Sequence, residues 1–122
     1  MKAISLAIMI LVAQPGAQVP DIDGQFCYFG KFTQAGNRVS IEGNLWSGVG
    51  CFQEDGSLQL IWTCASNGAK AFGVYRLNGR NLVGKYGYLD AVTIRPDGSM
   101  DGPTSPETLY LHAIDRATLP WF

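Results

Sequence analysis

Ala69-Lys70-Ala71-Phe72-Gly73-Val74-Tyr75-Arg76-Leu77-Asn78-Gly79-Arg80-Asn81-Leu82-Val83-Gly84-Lys85-Tyr86-Gly87-Tyr88 carries the clearest fold signal in the chain. Two runs of aromatic and β-branched residues flank an Asn-Gly pair, which readily takes the positive φ of a tight hairpin turn. The stretch predicts antiparallel strands over 69–76 and 81–88. Pairing across Asn78-Gly79 puts Phe72, Val74, Val83 and Lys85 on one face and Tyr75, Leu77, Leu82 and Tyr86 on the other. Both faces are partly apolar. Such a sheet is central in a sandwich, wrapped around an interior with a partner outside, or carries an exposed binding surface.

The same punctuation recurs on either side of this hairpin. Gln34-Ala35-Gly36-Asn37, Glu54-Asp55-Gly56-Ser57, Ser66-Asn67-Gly68 and Pro96-Asp97-Gly98-Ser99 each carry residues that tolerate a turn, spaced as in an antiparallel sandwich or barrel. The predicted strands are therefore 25–32, 38–45, 47–53, 58–64, 69–76, 81–88, 91–95 and 108–114, with no amphipathic helix of useful length. Leu58, Leu60, Trp62 and Cys64 alternate with Gln59, Ile61 and Thr63, so the first set faces the core. The expected fold is all-β, an antiparallel meander of about eight short strands. Fifteen glycines, several inside strand patterns (Gly43, Gly48, Gly50, Gly73, Gly84, Gly87), indicate bulges and tight coiling. A small barrel is accordingly favoured over an open sandwich, since closure also removes edge strands. Residues 49–58 echo residues 91–100, as two hairpins sharing turn chemistry would.

At the start of the chain, Met1-Lys2 precedes the apolar run from Ala3 to Ala13 and then Gln14-Pro15-Gly16-Ala17. This is the order of a secretory signal. Residues 1–17 are expected to be the signal and residues 18–122 a single all-β domain, exported to the periplasm, the cell surface or the medium. Contact with membrane is expected only where the signal stays uncleaved, because eleven apolar residues are short for a span. Nine basic and ten acidic residues leave a formal charge of -1, so no global field recruits nucleic acid.

Export places Cys27, Cys51 and Cys64 in an oxidising setting. With Asp55-Gly56 closing a two-residue hairpin, Cys51 faces Leu60, and Cys64 lies about 13 Å further along that strand, beyond disulfide reach. A disulfide would then join Cys27 to Cys51 or to Cys64; the alternative is three buried thiols.

Ionisable chemistry is sparse. The single histidine, His112, falls in the strand 108–114 beside Thr108 and Tyr110, where it reads as structural; a small hydrolase or thiol enzyme would have to use it. No catalytic residue, metal ligand set or cofactor is expected. The acidic loops Asp21-Ile22-Asp23-Gly24 and 97–102 read as turns, because neither completes a calcium loop. From Gly56 to Leu89 there are four cations and no carboxylate, with aromatics between them. Tyr75, Arg76, Arg80, Lys85 and Tyr86 are the candidate ligand-binding residues, suited to an anionic glycan. The C-terminal Trp121-Phe122 is expected to cap one barrel end.

The order Ser47-Gly48-Val49-Gly50, a strand ending near Trp62, Gly73-Val74, Asn78-Gly79, residues 82–87 and residues 97–102 resembles uncharacterised exported bacterial glycine-rich β-meander proteins. That resemblance implies fold and export and brings no assigned activity. The expected role is a non-catalytic structural or binding module of the cell envelope or the extracellular space. Its partner would be an anionic glycan, a small apolar or aromatic ligand held in the barrel mouth, or an envelope protein.

Overall fold

A computed structural model describes residues 19–113. Ten strands occur among them: β1 (Phe26–Cys27), β2 (Gly30–Ala35), β3 (Arg38–Glu42), β4 (Trp46–Phe52), β5 (Leu58–Cys64), β6 (Lys70–Asn78), β7 (Asn81–Tyr88), β8 (Thr93–Ile94), β9 (Met100–Asp101) and β10 (Ser105–Tyr110). Eight form one antiparallel sheet in the order β1-β2-β3-β4-β5-β6-β7-β10, and β8 and β9 form a separate hairpin. Where the sheet would end, Phe26 and His112 exchange two backbone bonds, Phe26 N to His112 O at 2.7 Å and His112 N to Phe26 O at 2.8 Å. The meander is thereby a nearly closed barrel, as the glycine content implied. The signal segment, Ile114 and the proposed Trp121-Phe122 cap lie outside the described residues.

Alternation fills the interior. Phe32, Val39, Ile41, Phe52, Leu58, Leu60, Trp62, Tyr75, Leu82 and Leu109 point inward and are buried, joined by Ile22 from the segment before β1. Each such side chain is worth about 1.5–3 kcal/mol of burial. Ile22 is held by Gln34, whose Oε1 accepts the Ile22 amide at 2.8 Å while Nε2 donates to Pro20 O at 2.7 Å. Gln34 stands beside the β2–β3 turn. This places Ile22 towards the barrel end that carries the β2–β3, β4–β5 and β6–β7 turns.

Outside the barrel, the β8–β9 hairpin answers the question of the two apolar faces. Phe72 and Met100 are buried yet stand apart from the interior cluster. A Cβ on Gly87, which pairs with Phe72, would lie 2.7 Å from Val92 Cγ1 and 3.4 Å from Met100 Sδ. The long connection between β7 and β10 therefore folds back over the outer wall and covers part of its apolar surface.

Three expectations about strand bounds and turns need correction. The strand predicted over 25–32 is two strands: Cys27 pairs with Gly30, and Tyr28-Phe29 turns the chain between them. That turn contains no Gly, Asn or Asp, so the usual punctuation is missing. The β4–β5 loop is not a two-residue hairpin. Gly56 N donates to Gln53 O at 3.0 Å and Gln53 N to Ser57 O at 2.7 Å, with Gly56 at φ 88°, a turn followed by a glycine bulge. Cys51 accordingly faces Gln59 instead of Leu60. Between β6 and β7 the turn residues are Gly79-Arg80, since Asn78 pairs with Asn81. This slides the register by two residues and preserves both predicted faces.

The echo between 49–58 and 91–100 has a physical basis. Asp55 Oδ1 accepts Ser57 N at 2.9 Å and Ser57 Oγ at 2.7 Å, and Asp97 Oδ1 accepts Ser99 N at 2.9 Å and Ser99 Oγ at 2.7 Å. In both turns the serine holds its aspartate below the usual carboxylate range.

No disulfide forms; all three cysteines are free. Cys27 belongs to the interior cluster. Strand alternation puts Cys51 on the outer side of β4, where Gln53 Nε2 donates to its Sγ at 3.3 Å. Cys64 turns to Ser66 Oγ, also at 3.3 Å. A Cys27–Cys51 bridge would have to pass through the wall, and Cys64 is engaged at its own turn.

Candidate functional site: an aromatic cleft at one barrel mouth

In a meander, alternate turns lie at the same end, so the inward residues near those turns share one mouth. At the end carrying the β1–β2, β3–β4 and β5–β6 turns these residues are largely aromatic. Phe29 comes from the β1–β2 turn, Trp46 opens β4, Trp62 lies near the end of β5, Ala71 near the start of β6, Tyr86 and Tyr88 at the end of β7, and Glu107 early in β10. Together they line a cleft of about 110 Å³. Phe29 and Trp62 rings are 5.2 Å apart at 56°, Trp46 and Tyr88 6.5 Å at 53°, and Tyr86 and Tyr88 5.9 Å at 81°.

Below the cleft runs a hydrogen-bonded chain. Trp62 Nε1 donates to the Tyr75 hydroxyl at 2.9 Å, and that hydroxyl donates to Glu107 Oε1 at 2.6 Å. Glycine makes the chain possible. A Cβ on Gly73 would run into the Tyr75 hydroxyl and lie 2.6 Å from its Cε2 and Cζ, so the phenol lies back across a bare Cα. Opposite Trp62, Gly48 leaves the indole room; a Cβ there would be 3.3 Å from Cε3.

The electrostatics follow from burial. Burial, then the hydrogen bond to Glu107 and its charge, push the Tyr75 phenol far above its ordinary range, keeping it a neutral donor. Burial also raises the half-buried Glu107 carboxyl, against the opposing pull of the Tyr75 hydrogen bond. The Cys27 thiol is raised by burial, with the Phe29 and Gly30 backbone acting the other way. Glu107 is thus a carboxylate held in an apolar, aromatic setting.

The candidate binding residues do not share one surface. Tyr75 is 1% exposed and lies in the core. Tyr86 lines the cleft. Arg76 points outward and is paired, donating to Asp55 O at 2.7 Å and Asp55 Oδ2 at 3.0 Å. Arg80 is exposed in the β6–β7 turn and Lys85 on the outer wall. The interleaving of cations with aromatics is the two-residue period of the strands, which sends Tyr75, Tyr86 and Tyr88 inward and the charges outward, with Phe72 on the outer wall. His112 stands at the barrel seam, paired through its backbone with Phe26. Among the described residues no group of three or more His, Cys, Asp and Glu could hold a metal ion.

Phe29, Trp46, Trp62, Tyr88 and Glu107 escaped the sequence reading as a set. The signal that could have found them is inward parity combined with position at the same end of successive strands. Compared with known proteins, the chain matches no family model, no curated protein and no solved structure.

Proposed function

We propose that this chain is an exported, non-catalytic binding module, and that the aromatic cleft at the mouth of its barrel is where it holds a small ligand. The observation that carries the reading is the concentration of five aromatic rings and one carboxylate at one mouth, while Ile22 fills towards the other end. Binding sites combine apolar walls with very few polar groups in this way. The cleft has the liquid volume of roughly four water molecules, enough for one compact group and less than the ~300–1,000 Å³ of sites for larger ligands. Any remainder of the ligand would lie over the rim. There Tyr28 is 95% exposed with its ring 5.5 Å from that of Phe29, and Leu45 and Tyr88 are exposed as well. Export is supported by the apolar run after Lys2.

Thermal unfolding of the full chain in the presence of aromatic alcohols, methyl glycosides and alkylammonium salts tests this reading. A ligand at about 100 times its dissociation constant adds about 2.7 kcal/mol, a rise of about 10 °C or more in Tm for a domain this small. The rise should disappear in Trp46→Ala. A flat Tm across all three classes would reject the cleft as a small-ligand site and leave a structural role.

A further inference from the structure

The lining of the cleft narrows the ligand class. Three of its ring pairs are inclined at 53° to 81°, so these rings line the cleft without stacking on one another and do not offer parallel faces to a flat molecule. Ring faces carry negative electrostatic potential. The one charged group among the described residues of the lining, Glu107, is an anion. The two side-chain ion pairs among the described residues, Arg76–Asp55 and Arg95–Asp101, leave Glu107 without a cationic partner. A half-buried carboxylate satisfied only by a phenol is costly to keep unless something positive completes it.

The same lining discriminates among cations. A hard metal ion requires six or more oxygens, and the described residues bring one carboxylate to the cleft. A primary ammonium brings three donors that need acceptors, more than these walls supply. A fully methylated ammonium brings none; it asks only for ring faces around its methyls and an anion nearby. Its compact shape also suits a cavity of about 110 Å³.

On the strength of the binding reading above, we propose that the cleft is an aromatic box for a trimethylammonium group, with Trp46, Tyr86, Tyr88 and Phe29 around the methyls and Glu107 as the counter-ion. The group is shared by free solutes and by lipid head groups.

Calorimetric titration of the full chain with choline, and with its neutral isostere 3,3-dimethylbutan-1-ol, separates this proposal from the reading beneath it. Choline should bind at least about tenfold more tightly than the alcohol, and the preference should collapse in Glu107→Gln. Tyr88→Leu, at a partly exposed position that leaves the buried chain of hydrogen bonds intact, should weaken choline by about 3- to 30-fold. Equal affinity for choline and the alcohol would overturn the cation box and leave a neutral-ligand module standing. Binding of neither, together with a flat Tm across the wider panel, would overturn both. Co-sedimentation with phosphatidylcholine vesicles but not phosphatidylglycerol vesicles would support the proposal with a lipid head group as source. Choline binding without sedimentation on either would support it with a free solute.

Discussion

The Tyr75 hydroxyl donates to Glu107 Oε1 at 2.6 Å across 32 residues of sequence, and accepts from Trp62 Nε1 at 2.9 Å. This one phenol ties β5, β6 and β10 together beneath the cleft and bonds the one carboxylate that the described residues bring to the lining. Its position links the stability of the barrel to the shape of the proposed site.

Tyr75→Phe should remove the acceptor of the buried Trp62 indole N–H and the donor to Glu107. Leaving the indole unsatisfied costs about 1–3 kcal/mol, and at roughly 4–8 °C per kcal/mol in a domain of this size the Tm should fall by at least about 4 °C. Urea unfolding followed by tryptophan fluorescence measures it; an unchanged midpoint would show that the chain of hydrogen bonds contributes nothing.

Gly73→Ala should be more damaging than its size suggests, because the new methyl meets the Tyr75 ring. A loss of about 1–3 kcal/mol is expected from overpacking. Pairing it with Tyr75→Leu makes room for the methyl, so the double variant should be markedly less destabilised than the sum of the two single changes. Strict additivity in denaturant melts would refute the contact.

Glu107 should carry a pH signature. Its folded pKa is raised by burial, so the folded state binds more protons than the unfolded chain between the two values, and stability falls as pH rises through that window. Among the described residues the titratable groups that interact with it are Tyr75 and Cys27, and those that share its cleft are Tyr86 and Tyr88, none a carboxyl or a histidine. Asp55 and Asp97, with lowered values, act in the opposite sense, losing stability as pH falls through their folded pKa values. The stability difference between parent and Glu107→Gln isolates the carboxyl. As pH rises through the window between the unfolded and the raised folded pKa the variant should gain on the parent, and Tm measured from acid to neutral pH should show the difference moving in the variant's favour. A constant gap would mean that Glu107 titrates normally.

The thiols should titrate as three free groups after denaturation, and the Tm should not respond to reductant. In the folded protein Cys51, on the outer wall, should react with a thiol reagent first and Cys27 last, since Cys27 is buried and its pKa raised. A reductant-dependent Tm would reveal a bridge that this arrangement forbids.

Much of the fold was legible because it is written in short-range chemistry. Asn, Asp and Gly at regular intervals mark the turns, the alternation of Leu58, Leu60 and Trp62 identifies the inward face, and glycines within strands announce a wall that curves closed. Both faces of the β6–β7 hairpin followed from parity alone and survived a two-residue slide in register. The Tyr28-Phe29 turn did not, because it uses neither glycine nor a short polar side chain. The binding candidates suffered for a related reason: reading Tyr75, Arg76, Arg80, Lys85 and Tyr86 as one patch ignored that neighbouring residues on a strand face opposite ways.

Turn propensity and two-residue periodicity act over a few residues, so the antiparallel meander and the buried face of its strands follow from local chemistry. That Phe29, Trp46, Trp62, Tyr86, Tyr88 and Glu107 meet at one mouth, that β8–β9 covers part of the outer wall, and that the cysteines stay apart became visible in the folded chain alone. Those outcomes depend on register, curvature and closure, which arise from the packing of all eight strands around one interior and from no single segment.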